Sequence, residues 1–156
     1  GVVIDDAHNS GLVDCRIFST GCGGAVVSGG NFTTLEPGNN FAVGNTIHNM
    51  ANYKRSYQPG LLWAGVNNSY SWNHIKEGPH NCMLGGGNQG PGANNLFEFN
   101  ILERCAFESA GAFAPYSRWS TYPSRCFGSC CLSQVVAKPN LAYLSFSLQM
   151  HLLLCI

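Results

Sequence analysis

The sequence is poor in charge. Only 10% of its 156 residues are Asp, Glu, Lys or Arg, where soluble domains carry roughly 25%. The few charges cancel to a formal net of zero. No basic field exists to gather a nucleic acid or an anionic bilayer, so neither is expected as a partner. Long apolar runs are missing too. The best candidate, Leu141 to Ile156, includes Gln149 and His151 and falls short of the roughly 20 residues of a membrane helix. No two cysteines have C-x-x-C spacing, and no Cys/His cluster has zinc-finger spacing. No D-x-D-x-D-G calcium loop is present. No metal is therefore expected, and nothing in the sequence names a cofactor.

What the chain has instead is glycine, 19 residues of it, and asparagine, often in pairs: Asn39-Asn40, Asn67-Asn68 and Asn94-Asn95. Both residue types tolerate positive φ and favour turns. Low charge with many turn residues does not suit long helices. It suits many short strands joined by tight corners.

A repeat confirms that reading. Four segments align: NSGLVDCRI from Asn9, NNFAVGNTI from Asn39, NNSYSWNHI from Asn67 and NNLFEFNIL from Asn94. Their starts are 30, 28 and 27 residues apart. Counting the first Asn as position 0, position 6 is Cys15, Asn45, Asn73 or Asn100. Position 8 is Ile17, Ile47, Ile75 or Leu102. In a stack of parallel strands, equivalent residues lie one strand spacing apart, and like stacks on like. The aliphatic column then forms an inner stripe, and the Asn column a buried amide ladder whose members satisfy one another. Cys15 continues the column where the ladder ends. A second apolar strand precedes each motif, beginning at Gly1, Gly24, Leu61 and Cys82. Loops are expected at 31–38, 51–60 and 88–93. Leucine-rich repeats would need several spaced leucines per period, and a β-sandwich would not need registered Asn columns.

The expected fold is therefore all-β: a parallel β-helix solenoid of about four coils over residues 1–113. A non-repeat tail follows over 114–156. The tail is open to two readings, a capping segment that covers the last coil or an aberrant end. Low order is expected from Ala114 to about Asn140, with a short apolar helix or strand over Leu141–Ile156. Because the chain opens on Gly1, a fragment of a longer solenoid or a mature chain is expected.

These columns resemble the pectin-lyase-like superfamily of right-handed parallel β-helices. The pattern looks most like eukaryotic right-handed β-helix domain-containing proteins. It is similar, more distantly, to polysaccharide lyases of the alginate lyase and chondroitinase B type. The resemblance covers about Gly1 to Phe113. It implies a right-handed coil and a carbohydrate-directed protein, with a polysaccharide or glycan as partner and a secreted or extracellular location.

Strand alternation places candidate residues. If positions 6 and 8 point inward, 7 and 9 point outward. Position 7 holds Arg16, Thr46, His74 and Ile101, and position 9 holds Phe18, His48, Lys76 and Glu103. A polysaccharide lyase needs a cation for the uronate carboxylate, a base for the C5 proton and an acid for the leaving oxygen. His74, Lys76 and His48 are the candidate catalytic residues. Tyr53, Lys54, Arg55 and Tyr57, on the adjacent loop, and Glu103 are the candidate substrate-binding residues. Arg55 is suited to hold a carboxylate in a bidentate fork, and the tyrosines to stack on sugar rings. The same residues equally make an ordinary solvated face of a binding or structural solenoid. A glycosidase would need two carboxylates about 5–10 Å apart, and no pair has that pattern. Trp63 and Trp72 are expected to pack inward.

Eight cysteines permit disulfides, but free buried thiols are the expected state of Cys15, Cys22, Cys82 and Cys105. Two N-glycosylation sequons occur, at Asn31 and Asn67. The first lies in a predicted loop and fits secretion. The second sits in the repeat column.

Overall fold

The computed structural model describes residues 1–86, 90–108, 125–127 and 130–132, the last two segments as backbone. Every regular element among them is a strand, and the strands stack into three parallel sheets. Sheet A runs in the order β1 (Val2–Ile4), β4 (Ala25–Asn31), β8 (Leu61–Val66) and β11 (Met83–Gly85), with β12 (Gly92–Ala93) also on β8. Sheet B contains β2 (Gly11–Val13), β6 (Phe41–Val43), β9 (Ser69–Ser71), β13 (Leu96–Glu98) and β15 (Arg125–Phe127). Sheet C contains β3 (Arg16–Phe18), β7 (Thr46–His48), β10 (His74–Gly78), β14 (Ile101–Cys105) and β16 (Cys130–Leu132). The chain visits A, then B, then C, and repeats, which is the order of a β-helix-like solenoid. The short β5 (Glu36–Pro37) pairs antiparallel with β4 and makes the 31–38 loop a hairpin.

The register follows the repeat. Ile17 pairs with Ile47, Ile47 with Ile75 and Ile75 with Leu102. All four are buried. They face the apolar side chains of sheets A and B, among them Val27, Leu61, Trp63, Met83, Ala42, Tyr70 and Phe97. Each such buried side chain is worth about 1.5–3 kcal/mol relative to exposure. The central aromatics pack as a group, with Tyr70 stacked on Phe97 at 5.0 Å and Trp63 edge-on to Phe97 at 4.9 Å. The Tyr70 hydroxyl donates to the Val27 carbonyl at 2.8 Å, so its polar tip does not oppose burial.

The nine-residue motif is two strands rather than one. Between them, at position 5, stand Asp14, Gly44, Trp72 and Phe99, all with φ between 51° and 69°. Position 0 repeats the conformation with Asn9, Asn39, Asn67 and Asn94, and position 10 with Ser19, Asn49, Glu77 and Arg104. One left-handed residue therefore turns the chain at each corner, followed at positions 1 and 6 by an inward side chain. Non-glycine residues reach this region at a cost of about 1–2 kcal/mol each, which the stacked hydrogen bonds offset.

Those bonds form two ladders. The expected one is present: the Cys15 N–H donates to Asn45 Oδ1, the Asn45 N–H to Asn73 Oδ1 and the Asn73 N–H to Asn100 Oδ1, at 3.0–3.1 Å. The side-chain amides add their own links, Asn45 Nδ2 to Asn73 Oδ1 at 2.9 Å and Asn73 Nδ2 to Asn100 Oδ1 at 3.0 Å. A second ladder lies at position 1, where the Ser10, Asn40 and Asn68 N–H groups donate to Asn40, Asn68 and Asn95 Oδ1 in turn. Asn40, Asn68 and Asn95 are as buried as the first set.

β15 and β16 lie beyond residue 113, where the composition changes, yet they extend sheets B and C in parallel register with β13 and β14. The low order expected from Ala114 to about Asn140 does not hold for β15 and β16, and residues 114–124, 128–129 and 133–156, with the helix or strand expected over Leu141–Ile156, fall outside the described residues.

Cys82 and Cys105 correct an expectation, for they form a disulfide rather than two free thiols. Gly78 pairs with Cys105, and a Cβ at Gly78 would stand 3.3 Å from Cys82 Sγ. The missing side chain at 78 leaves the room into which the chain turns back. Cys15 and Cys22 are free thiols.

Candidate functional site

Positions 7 and 9 of sheet C face outward, so His48, His74, Lys76 and Glu103 share one face. Lys76 is in register with His48 on one side and Glu103 on the other. All four are half-buried, as expected of side chains standing between like neighbours. His74 Nε2 lies 3.1 Å from Glu103 Oε2. Nearer the first strands, the Phe18 ring stacks on His48 at 5.5 Å, Arg16 lies over Phe18 at 5.3 Å, and Arg16 Nε approaches His48 Nε2 at 3.4 Å. His48 is thus a strand residue held by two neighbours. The face divides into an Arg16–Phe18–His48 group and a His74–Glu103 pair beside Lys76.

The 51–60 loop holds the other candidates. Tyr53 is almost fully exposed and Lys54 is exposed. Tyr57 is exposed on one side and packs against His80 at 4.8 Å on the other. Arg55 uses its fork on Glu108, with Nε 2.6 Å from Oε2 and a second contact from Nη2 to Oε1, while Nη1 reaches the Ala51 carbonyl. Hydrogen bonding to Glu108 holds the guanidinium pKa above its usual value. The fork proposed for a substrate carboxylate is filled by one of the protein's own.

Sequence reasoning placed Trp63 inward, and it is buried. It placed Trp72 inward as well, and that is overturned. Trp72 is 62% exposed and Phe99 42%, and their rings stack at 4.5 Å on the outside of the corner between sheets B and C. The reason is the left-handed turn at position 5, which moves the inward site to position 6. The two sequons also differ. Asn31 is exposed at the β4–β5 hairpin, its Oδ1 accepting from the Thr33 and Thr34 N–H groups. Asn67 Nδ2 donates to Asn39 Oδ1 at 2.7 Å.

Two depressions on the surface of the described residues bear on the candidates. One lies on sheet A near Gly1 and Val2 and is bordered by Tyr57 and Pro59. The other crosses sheet B and is bordered by Phe41, Ser69 and Leu96 and by the outer Asn residues. Neither includes His48, His74, Lys76 or Glu103. Among the described residues, no three His, Cys, Asp or Glu side chains are grouped to hold a metal ion. No helix among them is long and apolar enough to cross a membrane.

No protein family, curated protein or solved structure matches this chain.

Proposed function

We propose that this chain is a piece of a carbohydrate-directed, right-handed parallel β-helix of about four coils, related to the pectin-lyase-like superfamily, that binds an acidic glycan along the outer face of sheet C. The observation that carries the reading is a pair of outward columns on sheet C, Arg16–Thr46–His74 and Phe18–His48–Lys76, which bring Arg16, His48, His74 and Lys76 onto one face. Such columns set polar groups at about one strand spacing, with the cations Arg16 and Lys76 two strands apart. They suit a polymer that presents a carboxylate on each sugar, held by charge-assisted hydrogen bonds. The Cys82–Cys105 disulfide supports a secreted or extracellular location, since such bonds persist in oxidising compartments.

Binding without turnover is favoured over catalysis by Arg55. A lyase must neutralise the uronate carboxylate before the C5 proton leaves, and the residue suited to that is committed to Glu108. A second reading, a lyase or epimerase, is favoured by the His74–Glu103 contact beside Lys76. There His74 takes the proton as base, and Lys76 serves as acid.

Immobilised alginate, pectate and glycosaminoglycans test both. The expected result is retention of the chain on at least one polyuronate, weakened by salt and by Lys76→Ala, with no rise in absorbance from unsaturated ends. A rise that His74→Ala abolishes selects the lyase. No retention on any of them removes the acidic-glycan reading.

A further inference from the structure

We infer that the rung of β9 carries a second glycan site, a trough across the outer face of sheet B that takes an uncharged, hydroxyl-rich sugar ring; the inference deepens the carbohydrate reading above and rests on it. The trough arises from one outward column. Phe41, Ser69 and Leu96 are in register at position 2. The small Ser69 leaves a gap between two large neighbours. Phe41 leans the other way, over Gly11, where an added Cβ would stand 2.4 Å from its ring. The place above Ser69 therefore stays open, as a depression of about 300 Å³. That is the lower end of the range for small-ligand sites.

The chemistry of the rim selects the ligand. Asn39, Asn67 and Asn94 stand in a file along one end of the trough, exposed, each at a left-handed corner. Asn67 Nδ2 donates to Asn39 Oδ1. That link leaves Asn39 Nδ2 as a donor and Asn67 Oδ1 as an acceptor, on residues one strand spacing apart. A vicinal pair of sugar hydroxyls, each both donor and acceptor, matches such a pair. The Ser69 hydroxyl adds a third polar group on the floor, and Phe41 and Leu96 offer apolar walls to the C–H edges of the ring. No ionisable side chain lines the depression. A uronate carboxylate would find no cation there, which separates this site from the face of sheet C that carries Arg16 and Lys76.

The test uses the whole chain and two hexasaccharides, cellohexaose and hexagalacturonate, titrated while the Asn side-chain amide resonances are followed by NMR. The obstructing variant is Ser69→Leu. It fills the gap with a side chain of the Leu96 type, so the fold is retained, and an unchanged or raised melting temperature verifies that. Cellohexaose is expected to shift the Asn39 and Asn67 amide signals, and Ser69→Leu to weaken its binding at least tenfold while leaving hexagalacturonate binding unchanged. Cellohexaose binding that survives Ser69→Leu overturns the trough but not the carbohydrate reading. Hexagalacturonate binding that Lys76→Ala removes, with no response to cellohexaose, also overturns the trough and leaves the sheet C site standing. No response to either sugar overturns both.

Discussion

Asn73→Leu tests the ladder at its middle rung. The side chain makes four hydrogen bonds. Nδ2 donates to the Ala42 carbonyl at 2.9 Å and to Asn100 Oδ1 at 3.0 Å, and Oδ1 accepts from the Asn45 N–H at 3.1 Å and from Asn45 Nδ2 at 2.9 Å. Leucine has nearly the same volume and leaves the buried Asn45 N–H with no acceptor. That orphaned donor costs about 1–3 kcal/mol. Asn45 Nδ2 keeps its bond to Leu12, and Asn100 Oδ1 keeps the Asn73 N–H. The remaining lost bonds therefore cost nearer the net value, about 0.5–1.5 kcal/mol each. Burial of the leucine returns part of this, about 1.5–3 kcal/mol. The expected loss is about 2–3 kcal/mol, read as a shift of the urea midpoint at constant slope. Asn45→Leu, by contrast, strands the N–H of Cys15, a residue only half-buried, and should cost about 1 kcal/mol. His74→Ala, on the surface, should stay within about 0.5 kcal/mol. If Asn73→Leu costs no more than His74→Ala, or less than Asn45→Leu, the ladder is not what holds the corner.

Three further outcomes follow from the same geometry. Gly65→Ala should be strongly destabilising, by about 3 kcal/mol or more, because φ there is +88° and the new Cβ would lie 2.0 Å from the Gly29 carbonyl oxygen; urea unfolding of the variant checks this. Reduction, or Cys82→Ala with Cys105→Ala, should cost about 3 kcal/mol, the chain-entropy value for a 23-residue separation, measured as a drop in melting temperature under reductant that the double variant no longer shows. Burial raises the Tyr70 pKa well above 10, so the unfolded chain releases this proton first. The Tyr70 contribution is complete below about pH 10 and falls as pH rises beyond it, and Tyr70→Phe should flatten that alkaline loss in pH-dependent unfolding.

Columns defined by side-chain chemistry were legible in the sequence. The aliphatic set at position 8 and the Asn set at position 6 announce themselves because one residue type recurs at one spacing. The ladder at position 1 was half-visible. Asn40, Asn68 and Asn95 are the second members of the Asn pairs, but Ser10 breaks the set, and a pair reads first as a turn. Position 5 was not legible. Asp14, Gly44, Trp72 and Phe99 share no chemistry, only a left-handed backbone. A column unified by φ alone leaves no mark in residue identity, and that is why Trp72 was placed inside. The disulfide escaped for a related reason. Cys82 precedes a sheet A strand and Cys105 ends a sheet C strand, so no repeat position pairs them. Glu108 lies past the last clear repeat, and its hold on Arg55 depends on how the 51–60 loop folds.

The same construction explains how such a low-charge chain can carry distinct surfaces. Inward columns are fixed by the ladders and by burial, and register passes from one strand to the next without freedom. Outward columns are under no such demand, since a side chain at position 2, 7 or 9 needs only to tolerate its neighbours one strand spacing away. Position 2 therefore runs Gly11, Phe41, Ser69, Leu96, alternating small and large, which cuts a gap into sheet B. Position 9 runs Phe18, His48, Lys76, Glu103, two rings followed by two charges, which builds a polar file on sheet C. Substitution at these positions reshapes a face without disturbing the core. On the proposed reading, specificity on this scaffold is decided by which outward rung is small and which is charged, and Ser69 and Lys76 are the two residues whose substitution tests it.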